Sequence, residues 1–503
     1  MAFTTTVKEV IACDKTGLLA KHPSWERTLL SEIATILNGA PFDSEMFSNT
    51  EGVPLIRIRD IQSGMTSTYY RGTYDESFLV NRGDLLIGMD GDFNSAYWAS
   101  GHALLNQRVC KITSIETLYS QKLLAYLLPS YLSAINQHTS AITVKHLSSK
   151  TIGDIELPLP PRSEQTRIVE KLEELLSDLD AGVAELKAAQ KKLVQYRQSL
   201  LKAAVEGALT TEWRTTNQPK ETGTQLLERI LIERRARWEA KQLAKFKEQG
   251  KAPPKDWENK YPEPVKPDIS DLPELPKGWV WSSIGQCFYV GVGATPSRKE
   301  PEYWNGEIPW VSSGEVRFVE ITNTKELISR SGLNNSSTQI NPIGSVLLGM
   351  IGEGKTRGQV AILGIEAANN QNCAAIWVTE TDIPPEYVYY WLWSRYEETR
   401  RGSSGNNQPA LNKSIVEKIP FPLPSLNELH VIVGLVSTSL SQIEDQEAAI
   451  KYSLKQSAAQ RKNILKAAFS GQLVLQDPND EPASVLLERI RAEREQQKKT
   501  TQS

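Results

Sequence analysis

The sequence predicts an α+β protein in which two α/β globular parts alternate with two long helices, one plan written twice along the chain. Three observations carry this reading. An internal repeat aligns IELPLPPRSEQTRIV at 155–169 with IPFPLPSLNELHVIV at 419–433, so that Pro158, Pro160 and Glu164 match Pro422, Pro424 and Glu428 at one offset of 264. The register holds without a gap for about forty residues, to LLKAAVEGAL at 200–209 against ILKAAFSGQL at 464–473, longer than chance keeps it. Second, the first of these stretches carries apolar residues in alternating steps of four and three, with only Gly182 missing from the series: Ile168, Leu172, Leu175, Leu179, Leu186, Ala189, Leu193, Tyr196, Leu200 and Ala203. That is a coiled-coil seam. Third, both stretches run into a glycine, Gly207 and Gly471, the residue that takes the left-handed conformation closing a helix.

Taken in order, residues 1–157 and 271–421 are the globular parts, 158–270 a central helical region with a Pro-rich linker, and 422–503 a distal helical region. The globular parts mix short β-type runs such as PLIRIRDI, DLLIGM, SVLLGM and AAIWV with helical ones such as QKLLAYLLPSYLSAI. They too are related: GDLLIGMDGD at 83–92 faces GSVLLGMIGE at 344–353, Asn106-Gln107 face Asn370-Gln371, and PLIRIRDI at 54–61 faces PWVSSGEV at 309–316. The drift of these offsets between 255 and 264 is that of a domain whose loops accept insertions. In the central region TGTQLLERILIERRARWEAKQLAKFKEQG reads as a helix capped by Thr224, closed by Gly250 and charged nearly all round, hence exposed or partner-bound. Seven prolines from Pro253 to Pro276 predict a semi-rigid extended linker. The second coil is the weaker: Val436, Ile443, Ile450 and Ile464 recur at multiples of seven, with Ser439, Gln446, Ser453 and Gln460 as the companion column.

Of 503 residues, 57 are Lys or Arg and 60 Asp or Glu, and 12 are Trp, a folded protein's composition rather than that of a collagen or a disordered tail. No apolar run approaches the roughly 18 residues of a membrane span, and MAFTTTVKEVIACDKTG lacks a secretory plan, so a cytoplasmic location is expected. Cys13, Cys110, Cys287 and Cys373 are scattered, and His22, His102, His138, His146 and His430 have no metal-ligand spacing. Methyltransferase, cofactor-loop and nuclease signatures are likewise not found, so the reading is of a non-catalytic chain without a cofactor of its own. Net charge runs −3, +3, −3 and 0 over 1–157, 158–270, 271–421 and 422–503.

The order of motifs resembles the specificity subunit of type I restriction-modification enzymes. It is carried by LPLPPRSEQ at 157–165, LLKAAVEGALTTEWR at 200–214, LPKGWVWSSIG at 275–285, GATPSRKEPEYWNGEIPWVSSGEV at 293–316, FPLPSLNE at 421–428 and ILKAAFSGQL at 464–473. Two departures stand out: Leu429 replaces the Gln of the box, and the first domain has Trp25 followed by ERTLLSEI where the family has a GWxxxxLG opening. The resemblance implies two α/β target-recognition domains, each reading one half of a split, asymmetric DNA site. It also implies that the two helices pair as an antiparallel coiled coil in a pseudo-twofold repeat and fix the gap between the half-sites. Two adenine-N6 methyltransferase subunits would dock on this frame and restriction-translocase subunits would join them. S-adenosylmethionine, ATP and Mg would be bound by those partners. With both globular parts acidic, the isolated chain is expected to bind DNA weakly and to gain affinity in the assembly.

One motif competes. GMIGEGKT at 349–356 satisfies G-x-x-x-x-G-K-[ST], but a phosphate loop needs a helix after Thr356, whereas RGQVAILGI reads as a strand. The favoured reading is a Gly-rich turn that offers Lys355 and Arg357 to DNA, against a plain surface turn or a nucleotide loop. Further candidates for DNA contact are Asn94 in the matching loop, Thr139, Thr143 and Lys145 before the first box, and Arg400, Arg401, Ser404, Asn406, Asn407 and Gln408 before the second. These types bond phosphates and base edges. Tyr303 and Trp304 are expected to pack. The alternative overall is a coiled-coil scaffold that binds only protein.

Overall fold

The structure, a computed structural model, describes residues 6–138, 145–352, 355–401 and 411–501. The chain forms two compact units, one from 1–187 together with 451–503, the other from 188–450. Each contains one globular domain and parts of both long helices.

In the first unit the domain opens and closes on one antiparallel ladder, Glu26–Leu29 against Glu156–Leu159. This explains the prolines of the box: a two-stranded ladder leaves edge positions where Pro158 needs no N–H donor, and the chain then turns at Pro161 into a helix. Inside lies an antiparallel four-stranded sheet in the order Ala34–Asn38, Val109–Ser114, Leu85–Gly88, Ser95–Tyr97. A second sheet of short strands holds a parallel pair, Val53–Ile56 with Ala103–Leu105. The helix Gln121–His138 lays Leu124, Leu128, Tyr131 and Ile135 into the core.

The second unit repeats the construction. Val280–Ser283 pairs with Pro420–Leu423, and Trp304–Val311 pairs in parallel with Ala368–Asn369. The main sheet runs Tyr289–Val292, Cys373–Trp377, Val346–Gly349, Val360–Leu363, Val319–Ile321. The helix Pro385–Ser394 covers it.

Both long helices, Arg162–Val205 and Leu426–Phe469, have 44 residues. At about 1.5 Å per residue each is a rod of roughly 66 Å. Their ends pack in opposite senses within each unit. Ile168, Leu172 and Leu176 share a core with Ala468 and Phe469; Leu200, Leu201 and Ala204 share one with Leu429, Ile432 and Val436. The two helices are therefore antiparallel partners in both places.

The structure corrects the seam in detail. Tyr196 is 54% exposed, and Arg197 turns inward instead, its guanidinium 2.8 Å from Glu447. Its counterpart Arg461 pairs with Asp180 in the other unit, so each helix lends one arginine to a carboxylate of its partner. The companion column of the second helix is Leu440 and Glu447 rather than Ser439 and Gln446, a shift of one residue that puts a leucine and an ion-paired glutamate on the seam. Both stop signals behave as expected: Gly207 has φ 75° and Gly471 φ 71°.

After each stop a further helix follows, Gly223–Glu248 and Ala483–Thr501. The first is capped by Thr222 with Gln225, two residues before the expected Thr224. Neither is exposed all round, because Leu226 and Ile230 in one and Leu486 and Ile490 in the other are buried in a domain core. The Pro-rich segment folds back rather than simply spanning. Trp257 stacks on Trp238 at 5.7 Å, Tyr261 meets Trp238 edge-on, and the Val265 carbonyl accepts from Ser283 Oγ at 2.7 Å.

Candidate nucleic-acid interface

The repeated box is a mechanical joint. Glu164 is fully buried; Trp25 Nε1 donates to its Oε2 at 2.9 Å and Gln476 Nε2 donates to Oε1. Glu428 does the same work: Trp279 Nε1 donates at 3.0 Å, and Thr210 Oγ1 and Arg214 Nη1 donate at 2.6 Å each. One carboxylate thus ties the start of a domain, the start of its own helix and the segment beyond the other helix's glycine stop. Trp25 stands where Trp279 stands, so the first domain has the family's opening tryptophan despite its altered surroundings. Burial pushes the Glu164 carboxyl up, against the pull of its donors. Arg167, at 2.6 Å, holds Asp480 below the usual carboxylate range. The Gln-to-Leu departure is also accounted for. Gln165 accepts from Ser120 N at 2.8 Å and donates to Pro160 O at 3.0 Å, whereas Leu429 at the matching position joins an apolar core.

Each domain then builds the same frame for a ligand surface. One residue past the parallel strand pair, the Arg57 N–H donates to Asp60 at 2.9 Å, and the Ser312 N–H donates to Glu315 at 2.9 Å. Across from these turns, Ala40 N donates to Leu105 O at 2.9 Å, and Ala294 N to Asn369 O at 3.0 Å. Glycine is required before each alanine, since a Cβ on Gly39 or Gly293 would lie 2.1 or 1.9 Å from a carbonyl oxygen. The Asn-Gln dipeptides at 106–107 and 370–371 follow, with Gln107 and Gln371 exposed. In the first domain this frame walls a cleft of about 550 Å³ whose lining includes Phe42, Phe47, Arg57, Arg59, Asn106 and Arg108.

The predicted residues divide. In the first domain the turn after Gly88 and the segment before the box do come together: Gly91 N donates to Lys145 O at 3.1 Å. Asn94 closes that turn through its backbone, its carbonyl accepting from Gly88 N at 2.8 Å. Lys145 Nζ is not offered outward; it donates to Asn136 O and Oδ1 at 2.6 and 2.9 Å, where it caps a helix end. In the second domain Lys355 is exposed and its carbonyl accepts from Tyr396 at 2.9 Å, while Arg400 donates to the Tyr396 hydroxyl at 2.8 Å. Arg357 is half-buried, its Nε without a partner among the described residues. Thr139, Thr143, Ser404, Asn406, Asn407 and Gln408 lie outside the described residues, as does the side chain of Arg401. No phosphate-loop helix follows Thr356: the chain makes a turn and enters the strand Val360–Leu363. Tyr303 ends a short 3-10 turn and Trp304 opens the strand Trp304–Val311, packing on Trp310 at 5.2 Å.

The family model of the type I restriction modification DNA specificity domain matches residues 23–189 and 276–456, both copies of the plan. The chain belongs to this family. It is 34% identical over 510 aligned residues to the type I restriction enzyme EcoBI specificity subunit of Escherichia coli, covering 98% of this chain and 97% of that one. To the EcoDI specificity subunit of Escherichia coli it is 23% identical, over 83% of this chain and 86% of the relative. A solved chain from work on complex assembly and conformational transition of the type I R-M system shares its fold. That match has a TM-score of 0.60 at 17% identity, over 90% of this chain and 98% of that one. Among the described residues no helix is long and apolar enough to cross a membrane, and no His, Cys, Asp and Glu group could hold a metal ion.

For a DNA specificity chain the cleft arginines are the residues that sequence reasoning passed over. Their signal was present in the repeat. PLIRIRDI against PWVSSGEV, and NQR against NQN, keep the frame and change the charge.

Proposed function

We propose that this chain is the non-catalytic DNA-reading subunit of a type I restriction-modification complex, each domain reading one half of a bipartite asymmetric target. The paired helices set the gap and present docking surface for two adenine-N6 methyltransferase subunits, which restriction-translocase subunits join. S-adenosylmethionine, ATP and Mg are bound by those partners. The observation that carries the reading is that both domains build one frame, a glycine-tight crossing beside an Asn-Gln dipeptide, and hang different side chains on it. A shared scaffold with unlike contact residues is what reading two unlike half-sites demands. Methylome sequencing of the source cell tests it. We expect N6-methyladenine in a two-part motif that disappears when the gene is deleted; an unchanged methylome overturns the reading. A protein-binding scaffold would instead show no sequence-specific DNA retention even with the methyltransferase present.

A further inference from the structure

We propose that the two domains grip DNA unequally: the first is the electrostatic anchor, its arginine cleft seating backbone phosphates, and the second reads its half-site without guanidinium groups at the matching positions. The inference rests on the DNA-reading function above and adds to it a division of labour.

The correspondence is fixed by backbone pairing, not by alignment alone. Leu55 pairs with Leu104 and Ile56 with Leu105; Trp310 pairs with Ala368 and Val311 with Asn369. Counting outward from these pairs, Arg57, Arg59 and Arg108 of the first domain stand where Ser312, Gly314 and Asn372 stand in the second. Three cations on one frame thus face three neutral residues on the other. The cleft cations are exposed to solvent. The Arg57 side chain is exposed and has no partner among the described residues, and Arg59 is 64% exposed, 3.7 Å from an Asp60 already occupied in capping its turn. Arg108 is 52% exposed and shares Asp90 with His146. Two arginines of the second domain are held elsewhere: Arg317 donates to Gly314 O at 2.5 Å, and Arg298 lies 3.7 Å over the Trp304 ring in a forked pair with Glu326. The cleft's aromatic walls and its Asn-Gln floor suit a nucleotide strand, with sugars against Phe42 and Phe47 and base edges toward Gln107.

Each phosphate neutralised contributes about 0.9 to the slope of log affinity against log salt. The test uses the chain assembled with its methyltransferase subunits, and duplexes of the methylome-defined target or of scrambled sequence. R57Q/R59Q/R108Q should lower the salt slope by about 2–3 and weaken binding on the order of 100-fold near 0.1 M salt. S312A/N372A should leave the slope unchanged. G314R/N372R, at exposed or half-exposed positions with room beside Gly314, should raise it by about 2 and reads out independently of the first domain. An unchanged slope in the triple variant, or an equal fall in S312A/N372A, overturns the proposal. A wild-type assembly that does not distinguish target from scrambled duplex overturns the reading function itself.

Discussion

Arg214 and Glu428 show how much one pair can hold. The Glu428 side chain is 3% exposed, and besides Arg214 it is bonded only by Thr210 and Trp279 among the described residues. Removing the guanidinium leaves a buried carboxylate without its counter-charge, a loss of about 3–5 kcal/mol. We expect Arg214→Ala to lower the melting temperature by about 10 °C in calorimetry. A shift of about one degree would show that the pair is not the joint described above. The glutamates were visible in the sequence as a repeated letter. Their partners were not, because Trp25 and Gln476 lie 139 and 312 residues from Glu164 and nothing local links them. The cleft arginines were hidden for the same reason, since three separate loops assemble the site.

The helices were the most legible elements. A heptad series and a glycine stop are short-range signals, and both long helices end where their glycines stand. What periodicity could not supply was which neighbouring residue turns inward. Where a domain packs against the helix the buried stripe widens to adjacent pairs such as Leu200 and Leu201, and only three residues away the seam holds a polar crossing, Arg197 with Glu447. The strands were the least legible, being mostly two to five residues long and paired across more than a hundred residues at the domain mouths. The stops themselves are sensitive. A Cβ on Gly207 would lie 2.7 Å from Pro276 and 3.0 Å from Trp279, on a backbone at φ 75°. Gly207→Ala should therefore cost about 1–3 kcal/mol, measured by denaturant unfolding. A neutral result would mean the crossing can relax.

For the whole chain, the acidic balance of both domains means that affinity for DNA depends on where charge sits rather than on how much there is. A domain of net charge −3 can still gather three arginines at one cleft. The helices give a second test on the whole assembly. Deleting seven residues, one heptad, from the middle of both should keep the seam in register and shorten each by about 10 Å, roughly three base pairs of DNA. The methylome should then show the same half-sites with a shorter gap. Unchanged spacing would remove the helices as the ruler.

The division of the chain into one unit continuous in sequence and one built from two separate segments also sets an order of assembly. All of unit 188–450 is made before residue 451, so its core can close while synthesis continues. The other unit cannot finish in the same way: Leu30, Leu124 and Ile168 share one buried cluster with Phe469, Leu486 and Ile490. The domain made first is therefore completed last. Until those late helices arrive it shows the ribosome, and any waiting chaperone, an unsealed apolar flank.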